Sequence, residues 1–334
     1  MSASSTPAFV HLVQDFFCGH LINQRNASPC TVASYRDTFR LLLGYLGADR
    51  HKQPSQIELS DLTPVTVAAF LNHLERGRHN TVRTRNSRFA AIRAFLRYAS
   101  ARDPASLLIV QQVLAIPMKR YDRPQMGFLS RDEVEAIFST PDCSTWSGRR
   151  DRVMFAVLYN TGARVSELVS AKQQDLSLGQ CASLRLHGKG RKTRTVPLWK
   201  DTARMLRKWL NEIRLDAAVP LFPNASGEHL TRSGVEYRLR ELVRRAAKRC
   251  PSLGNRRISP HTFRHTTAMH LLQSGVDITV IALWLGHEST ATTHMYVEAD
   301  LAMKERALAK VQEPRTAPLR YRPTDRLLKF LDTL

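Results

Sequence analysis

Four short clusters in the second half of the chain combine the residue types that a reaction at a phosphodiester needs. Thr161-Gly162-Ala163-Arg164 sets an arginine at the start of a helix, where a glycine has just turned the chain, and Glu167 follows three residues later. Gly188-Lys189-Gly190-Arg191-Lys192 is a glycine-rich turn carrying three cations. In His261-Thr262-Phe263-Arg264-His265 the i, i+3 spacing puts His261 and Arg264 on one helix face. His287, in Leu285-Gly286-His287, is followed nine residues later by Tyr296. Taken singly, each has a plainer reading, since most arginines lie on surfaces and a lone histidine or tyrosine is more often structural. Together they match a metal-free attack on phosphorus. A tyrosine hydroxyl, with a pKa of about 10, must lose its proton to attack; charge builds on the non-bridging oxygens, and the leaving alkoxide needs a proton. Arg164 and Arg264 can hold those oxygens bidentately, standing in for the metal ions that acidic-cluster nucleases use.

Two other chemistries fit less well. The 188–192 turn lacks the G-x-x-x-x-G-K-[ST] spacing and the strand–helix setting of a nucleotide loop. His261 and His265 stand at i, i+4 and could pair on zinc, but Arg264 between them repels a metal and no acidic third ligand is near. Neither a metal nor any other cofactor is expected.

The elements that must position these residues can be read from periodicity. Apolar residues at three- and four-residue spacing predict helices over 7–24, 29–46, 64–76, 80–101 and 104–115, often opened by proline, which is the pattern of a small helical bundle. Residues 117–127 hold two prolines, a glycine and mixed charge without period, the composition of a linker. Ser130 and Glu133 form a capping box that opens the next helix. Two strand-like runs, 183–187 and 193–198, flank the Lys189 turn and predict a β-hairpin. Helices resume over 201–213, 231–249, 260–274 and 277–285, with a further one around 298–311. The expected organisation is a helical domain over 1–116, a linker over 117–127, a mixed α/β domain over 128–312 and a tail over 313–334. In that tail Leu327, Leu328, Phe330, Leu331 and Leu334 give a ten-residue helix, Asp325 to Leu334, an apolar face that needs a surface to dock on.

The chain has 334 residues and carries 50 Lys and Arg against 29 Asp and Glu, a net charge of +21. No run of apolar residues is long enough to span a membrane, the first residues lack the pattern of a secretory signal, and five scattered cysteines read as reduced cytoplasmic thiols. The excess is confined to three stretches, 76–102, 185–208 and 232–264, each netting +8, while the remainder carries 23 basic and 26 acidic residues. The first stretch has eight arginines and no acid. Solvated helix faces usually mix signs, so Arg83, Arg85, Arg88, Arg93 and Arg97, beside a core stripe of Phe89, Ile92, Leu96 and Ala99, are expected to face phosphates, as are Arg191 and Lys192 in the hairpin turn.

In this order, T-G-A-R-x-x-E-L, G-K-G-R-K-T-R, H-x-F-R-H, L-G-H and Y resemble the motifs of the tyrosine recombinase (phage integrase) family. The helical first domain is similar to that family's core-binding, SAM-like domain, so the resemblance spans essentially the whole chain. It implies a mixed α/β catalytic domain in which Tyr296 is the nucleophile, forming a 3′-phosphotyrosyl bond and freeing a 5′-hydroxyl. Arg164 and Arg264 would bind the scissile phosphate, and Lys189 would protonate the leaving oxygen. His261 would accept a proton or bind phosphate, His287 would donate a hydrogen bond to it, and Glu167 would orient the site from behind.

The resemblance also implies a partner: double-stranded DNA carrying a specific site, bound as a tetramer on paired sites that exchange strands through a Holliday junction. The 325–334 helix would dock on the neighbouring subunit. No extra N-terminal arm-binding domain is recognised, which speaks against a lambda-type integrase; an enzyme of a bacterial mobile element is the favoured expectation, with a Xer-like recombinase as the alternative. A type IB topoisomerase lacks a reason for the separate helical domain and the tail. A catalytically inactive DNA-binding regulator lacks a reason for the complete residue set.

Overall fold

The computed structural model describes residues 9–122, 127–188, 192–213 and 218–287. Over these it is mainly helical with one small sheet, and the chain divides into two compact units, Met1–Pro124 and Gln125–Leu334. The expected helix at 298–311 and the tail lie outside the described residues.

In the first unit α1 (Phe9–Asp15) runs into a π-helical segment, Phe16–Gln24. The next helices start where the sequence offers a side-chain oxygen to the unpaired amides of a first turn. Ser28 accepts from the Thr31 amide ahead of α2 (Pro29–Arg50), Thr63 from Thr66 ahead of α3 (Pro64–Arg76), and Thr81 from Thr84 ahead of α4 (Val82–Ser100). A 3-10 turn at Pro104–Ser106 leads into α5 (Leu107–Leu114). α2 outruns the expected 29–46: the chain stays helical through Gly47 and stops at His51, which is left-handed with φ 51°. An interior glycine costs about 1 kcal/mol against alanine, less than the burial of Leu42 and Leu46 on the same helix contributes. The core is aromatic, with Phe95 meeting Phe16 and Phe39 edge-on at centroid distances of 5.4 and 5.1 Å. On α4 the expected stripe Phe89, Ile92, Leu96 and Ala99 is buried throughout.

In the second unit α6 (Arg131–Phe138) opens on the expected capping box, with Ser130 and Glu133 bonding each other's backbone amides. α7 (Trp146–Thr161) and α8 (Val165–Ser170) follow, then an antiparallel sheet of β1 (Leu176–Ser177), β2 (Ser183–His187) and β3 (Thr193–Pro197) in that order. β2 and β3 form the expected hairpin, with Leu184 opposite Val196 and Leu186 opposite Arg194. Side chains alternate across a strand, so Arg194 shares the inner face with the buried Leu184, Leu186 and Val196. α9 (Lys200–Leu210), α10 (Arg232–Ala246), α11 (Pro260–Gln273) and α12 (Ile278–Leu285) complete the unit. α11 is buried along most of its length, and Phe263 lies against Phe138 and Phe155 with centroids 6.1 and 6.2 Å apart.

Candidate active site

Arg164 is placed by the break between two helices. α7 ends at Gly162, left-handed with φ 59°, where a β-carbon would stand 2.5 Å from Leu285 Cδ2. Only glycine meets both demands. Arg164 is then the N-cap of α8: its amide donates to Glu167 Oε2 at 2.8 Å and its guanidinium to Glu167 Oε1 at 2.9 Å. A further guanidinium nitrogen lies 3.5 Å from the Gly286 carbonyl. The side chain remains 40% exposed, whereas that of Glu167 is only 2% exposed.

Arg264 reaches the same region from α11. Ser259 caps that helix by accepting from the Thr262 amide, and Pro260 occupies its first turn. Arg264 is 2% exposed, and its guanidinium donates to the carbonyls of Gly162 and Leu285, both at 2.6 Å. These carbonyls belong to the ends of α7 and α12, each closed by a left-handed glycine, Gly162 and Gly286. The last carbonyls of a helix have no amide partners within it and carry the negative end of its dipole. Arg264 satisfies both, so a buried cation is held by two helix ends.

His261 is exposed on the first turn of α11, its ring 4.2 Å from that of the buried His265. His287 follows the Gly286 turn and is half-buried. Burial pushes the His287 imidazole down to about 4, helped by the charges of Arg264, Arg164, Arg194 and His261. His265 is likewise pushed down to about 4 by burial, then by His261, Arg264 and His287. Both are therefore neutral at pH 7 and able to donate one hydrogen bond and accept another. Arg164 and Arg264 reach the carbonyls of Gly286 and Leu285, directly before His287, and His261 stands one turn ahead of Arg264 on α11, so the four gather at the end of α12. Burial raises the Glu167 carboxyl, but hydrogen bonds and charge from Arg194, then those from Arg164, outweigh it and hold the group below the usual range. Lys189, Arg191 and Tyr296 lie outside the described residues. At the neck of the hairpin turn that contains Lys189 and Arg191, the Gly188 amide donates to the Lys192 carbonyl at 2.7 Å, and Lys192 is exposed.

Of the arginines expected to face phosphates on α4, Arg83 is exposed, while Arg88 and Arg93 are half-buried, Arg93 lying over the Phe89 ring. Arg85 requires a correction. It is 4% exposed and forms an ion pair, its Nε 3.3 Å from Glu75 Oε1 on α3, while another guanidinium nitrogen donates a hydrogen bond to Asn86 Oδ1 at 2.9 Å. Arg85 precedes Phe89 by four residues, so helix geometry sets it on the buried stripe and not away from it. The compensating acid stands one residue before the stretch that contains no acid.

Residues 127–303 match the phage integrase family, and residues 15–103 match the phage integrase N-terminal SAM-like domain. The putative integrase/recombinase y4rC of Sinorhizobium fredii is 47% identical over 323 residues, 97% of each chain. The tyrosine recombinase XerD of Pseudomonas putida is 32% identical over 297 residues, 87% of this chain and 93% of that one. Among solved structures, the Tn1549 transposon integrase in complex with a circular intermediate DNA has the same fold, with a TM-score of 0.69 at 14% identity over 90% of this chain and 99% of that one. The chain therefore belongs to the phage integrase family: it is a tyrosine recombinase. No described helix is long and apolar enough to cross a membrane.

Proposed function

We propose that the chain cuts and rejoins double-stranded DNA at a specific site through Tyr296, with Arg164, Arg264, His261 and His287 gripping the scissile phosphate. The observation that carries this reading is the convergence of two arginines and two histidines beside helix ends, with Glu167, the carboxylate that meets Arg164, already engaged by Arg194. The Tyr296 oxygen forms a bond to phosphorus as the bond to the 5′-oxygen breaks. The tyrosine proton passes to His261 or to water, Lys189 supplies the proton that the leaving oxygen takes up, and a 5′-hydroxyl is released. Reversal with another strand's 5′-hydroxyl rejoins the DNA. The phosphotyrosyl ester conserves the energy of the phosphodiester, so neither ATP nor a metal is needed.

The same reading takes 1–116 as the DNA-embracing domain, 117–127 as its linker, 128–312 as the catalytic domain and 313–334 as a tail. The 325–334 helix docks on a neighbouring subunit in a tetramer on paired sites. Arg83, Arg88, Arg93, Arg191 and Lys192 contact backbone phosphates, and the enzyme acts in the cytoplasm on DNA of a mobile element. Fragmented DNA from the source genome, incubated with the protein in EDTA and recovered through the covalently attached protein, should yield one recurrent junction at a 3′-phosphotyrosine, absent with Tyr296→Phe. An element boundary at that junction supports integration or transposition, and a chromosomal dimer-resolution site supports the Xer-like role. If no covalent adduct forms, the reading fails.

A further inference from the structure

The arginine that closes G-K-G-R-K-T-R has no part in the reading above, yet all three nitrogens of its guanidinium are engaged. Arg194 is 11% exposed on the inner face of β3. Its Nε donates to the Trp284 carbonyl at 2.9 Å, and its two terminal nitrogens donate to Glu167 Oε1 at 3.0 Å and Oε2 at 2.8 Å. One planar fork thus ties α8 to the last turn of α12. Gly286 is shaped around it: a β-carbon there would stand 3.0 Å from Arg194 Cδ and 3.1 Å from a guanidinium nitrogen, on a backbone with φ 64°. Gly188, at the neck of the hairpin, is equally close to Glu167, where a β-carbon would lie 3.3 Å from Oε1.

We propose that Arg194 is a positioning residue, occupying Glu167 so that Arg164 stays available to a phosphate and holding the end of α12 where His287 must stand. The inference rests on the phosphate-binding reading given above. Each Glu167 oxygen now accepts one bond from Arg194 and one from an Arg164 donor. Without Arg194, a buried carboxylate with half its partners would compete with the phosphate for the Arg164 guanidinium. Arg194 is too enclosed, and its fork too fully used, to touch the substrate. A lysine in its place would keep the charge but could not span both carboxylate oxygens and the Trp284 carbonyl.

The test is single-turnover formation of the covalent adduct on a nicked suicide duplex carrying the junction mapped above, with DNA affinity measured separately by gel shift. Arg194→Gln should slow adduct formation by about 100-fold, with affinity changed by less than about threefold, and Arg194→Lys should lose about tenfold. The decisive variant is the double substitution R194Q/E167Q. Removing the competing carboxylate should recover at least about tenfold of the rate lost by R194Q alone, whereas an ordinary packing role makes the double variant slower still. Arg194→Gln or Arg194→Lys at the wild-type rate, or a double variant slower than R194Q, overturns the proposal. If R194Q does not fold, R194K and R194K/E167Q carry the same comparison. Absence of adduct from the wild type overturns the function reading instead, so the two failures are separable.

Discussion

Two buried arginines, Arg85 in the first unit and Arg264 in the second, are held in opposite ways. On α4 Arg85 is paired with Glu75, a carboxylate that Lys119 also reaches at 2.8 Å, so the first unit spends its buried cation on cohesion. In the second unit Arg264 is equally enclosed but bonded to the end carbonyls of α7 and α12. Dipoles orient and stabilise a cation without cancelling its charge, which leaves Arg264 able to attract an anion. Arg164 is intermediate, sharing Glu167 with Arg194 while keeping an exposed edge. Charge count along a sequence therefore does not mark a functional arginine; the kind of partner that holds it does.

The sharpest break of this comparison is substitution at Arg264 and at Arg85. Arg264→Lys should lower the rate of adduct formation by about 100- to 1000-fold, because a point charge cannot bridge two helix ends and grip a phosphate, whereas Arg85→Met should leave the rate per folded molecule within about twofold. Arg85→Met should instead lower unfolding stability by about 2 kcal/mol in urea titration, since it strips a half-buried carboxylate of one of its two cations. A loss of cleavage in folded Arg85→Met would erase the distinction between the units.

A smaller effect separates the exposed arginines of α4 from the buried one. Removing a cation that neutralises one DNA phosphate should reduce the slope of log affinity against log salt by about one. Arg83→Ala should show that change and Arg85→Met should not. An unchanged slope for Arg83→Ala would return that arginine to a solvated face.

The pH dependence is the mildest of these effects. His265 and His287 are held at about 4 in the folded protein against about 6.5 in an unfolded chain. Between those values the unfolded state binds more protons, so stability is complete above pH 6.5 and falls as pH drops towards 4, by at most about 1.4 kcal/mol per pH unit for each histidine. Thermal melts from pH 7 to 4.5 should show the decline, and His265→Gln should flatten it. A flat profile in the wild type would mean the two rings are not kept neutral by burial and their cationic neighbours.

Much of this was legible in the residues. The cap at Ser130 follows from a serine three residues ahead of Glu133, and the hairpin follows from strand-like runs around a glycine-rich turn. The motif residues Arg164, His261, Arg264 and His287 converge because each stands near a helix terminus in the second unit. What was hidden depended on partners distant in the chain. Arg85 reads as a surface arginine until α3 brings Glu75 against it. Gly47 reads as a break until the buried neighbours of α2 carry the helix past it. Arg194 could have been noticed, since it alternates with Val196 on a strand whose other face is polar, and an arginine in that row must find an acid inside.

One consequence follows from the way Arg264 is held. Its two carbonyl acceptors lie 102 residues before it and 21 after it, so the grip on a phosphate cannot be assembled piecemeal: if the last turn of either α7 or α12 frays, the other loses its cross-tie as well. The end amides of these two helices should consequently exchange with deuterium as a single opening unit, and a phosphate bound between Arg164 and Arg264 should slow both together. On the proposed reading, this cross-tie is a latch on the second unit, and DNA is what throws it.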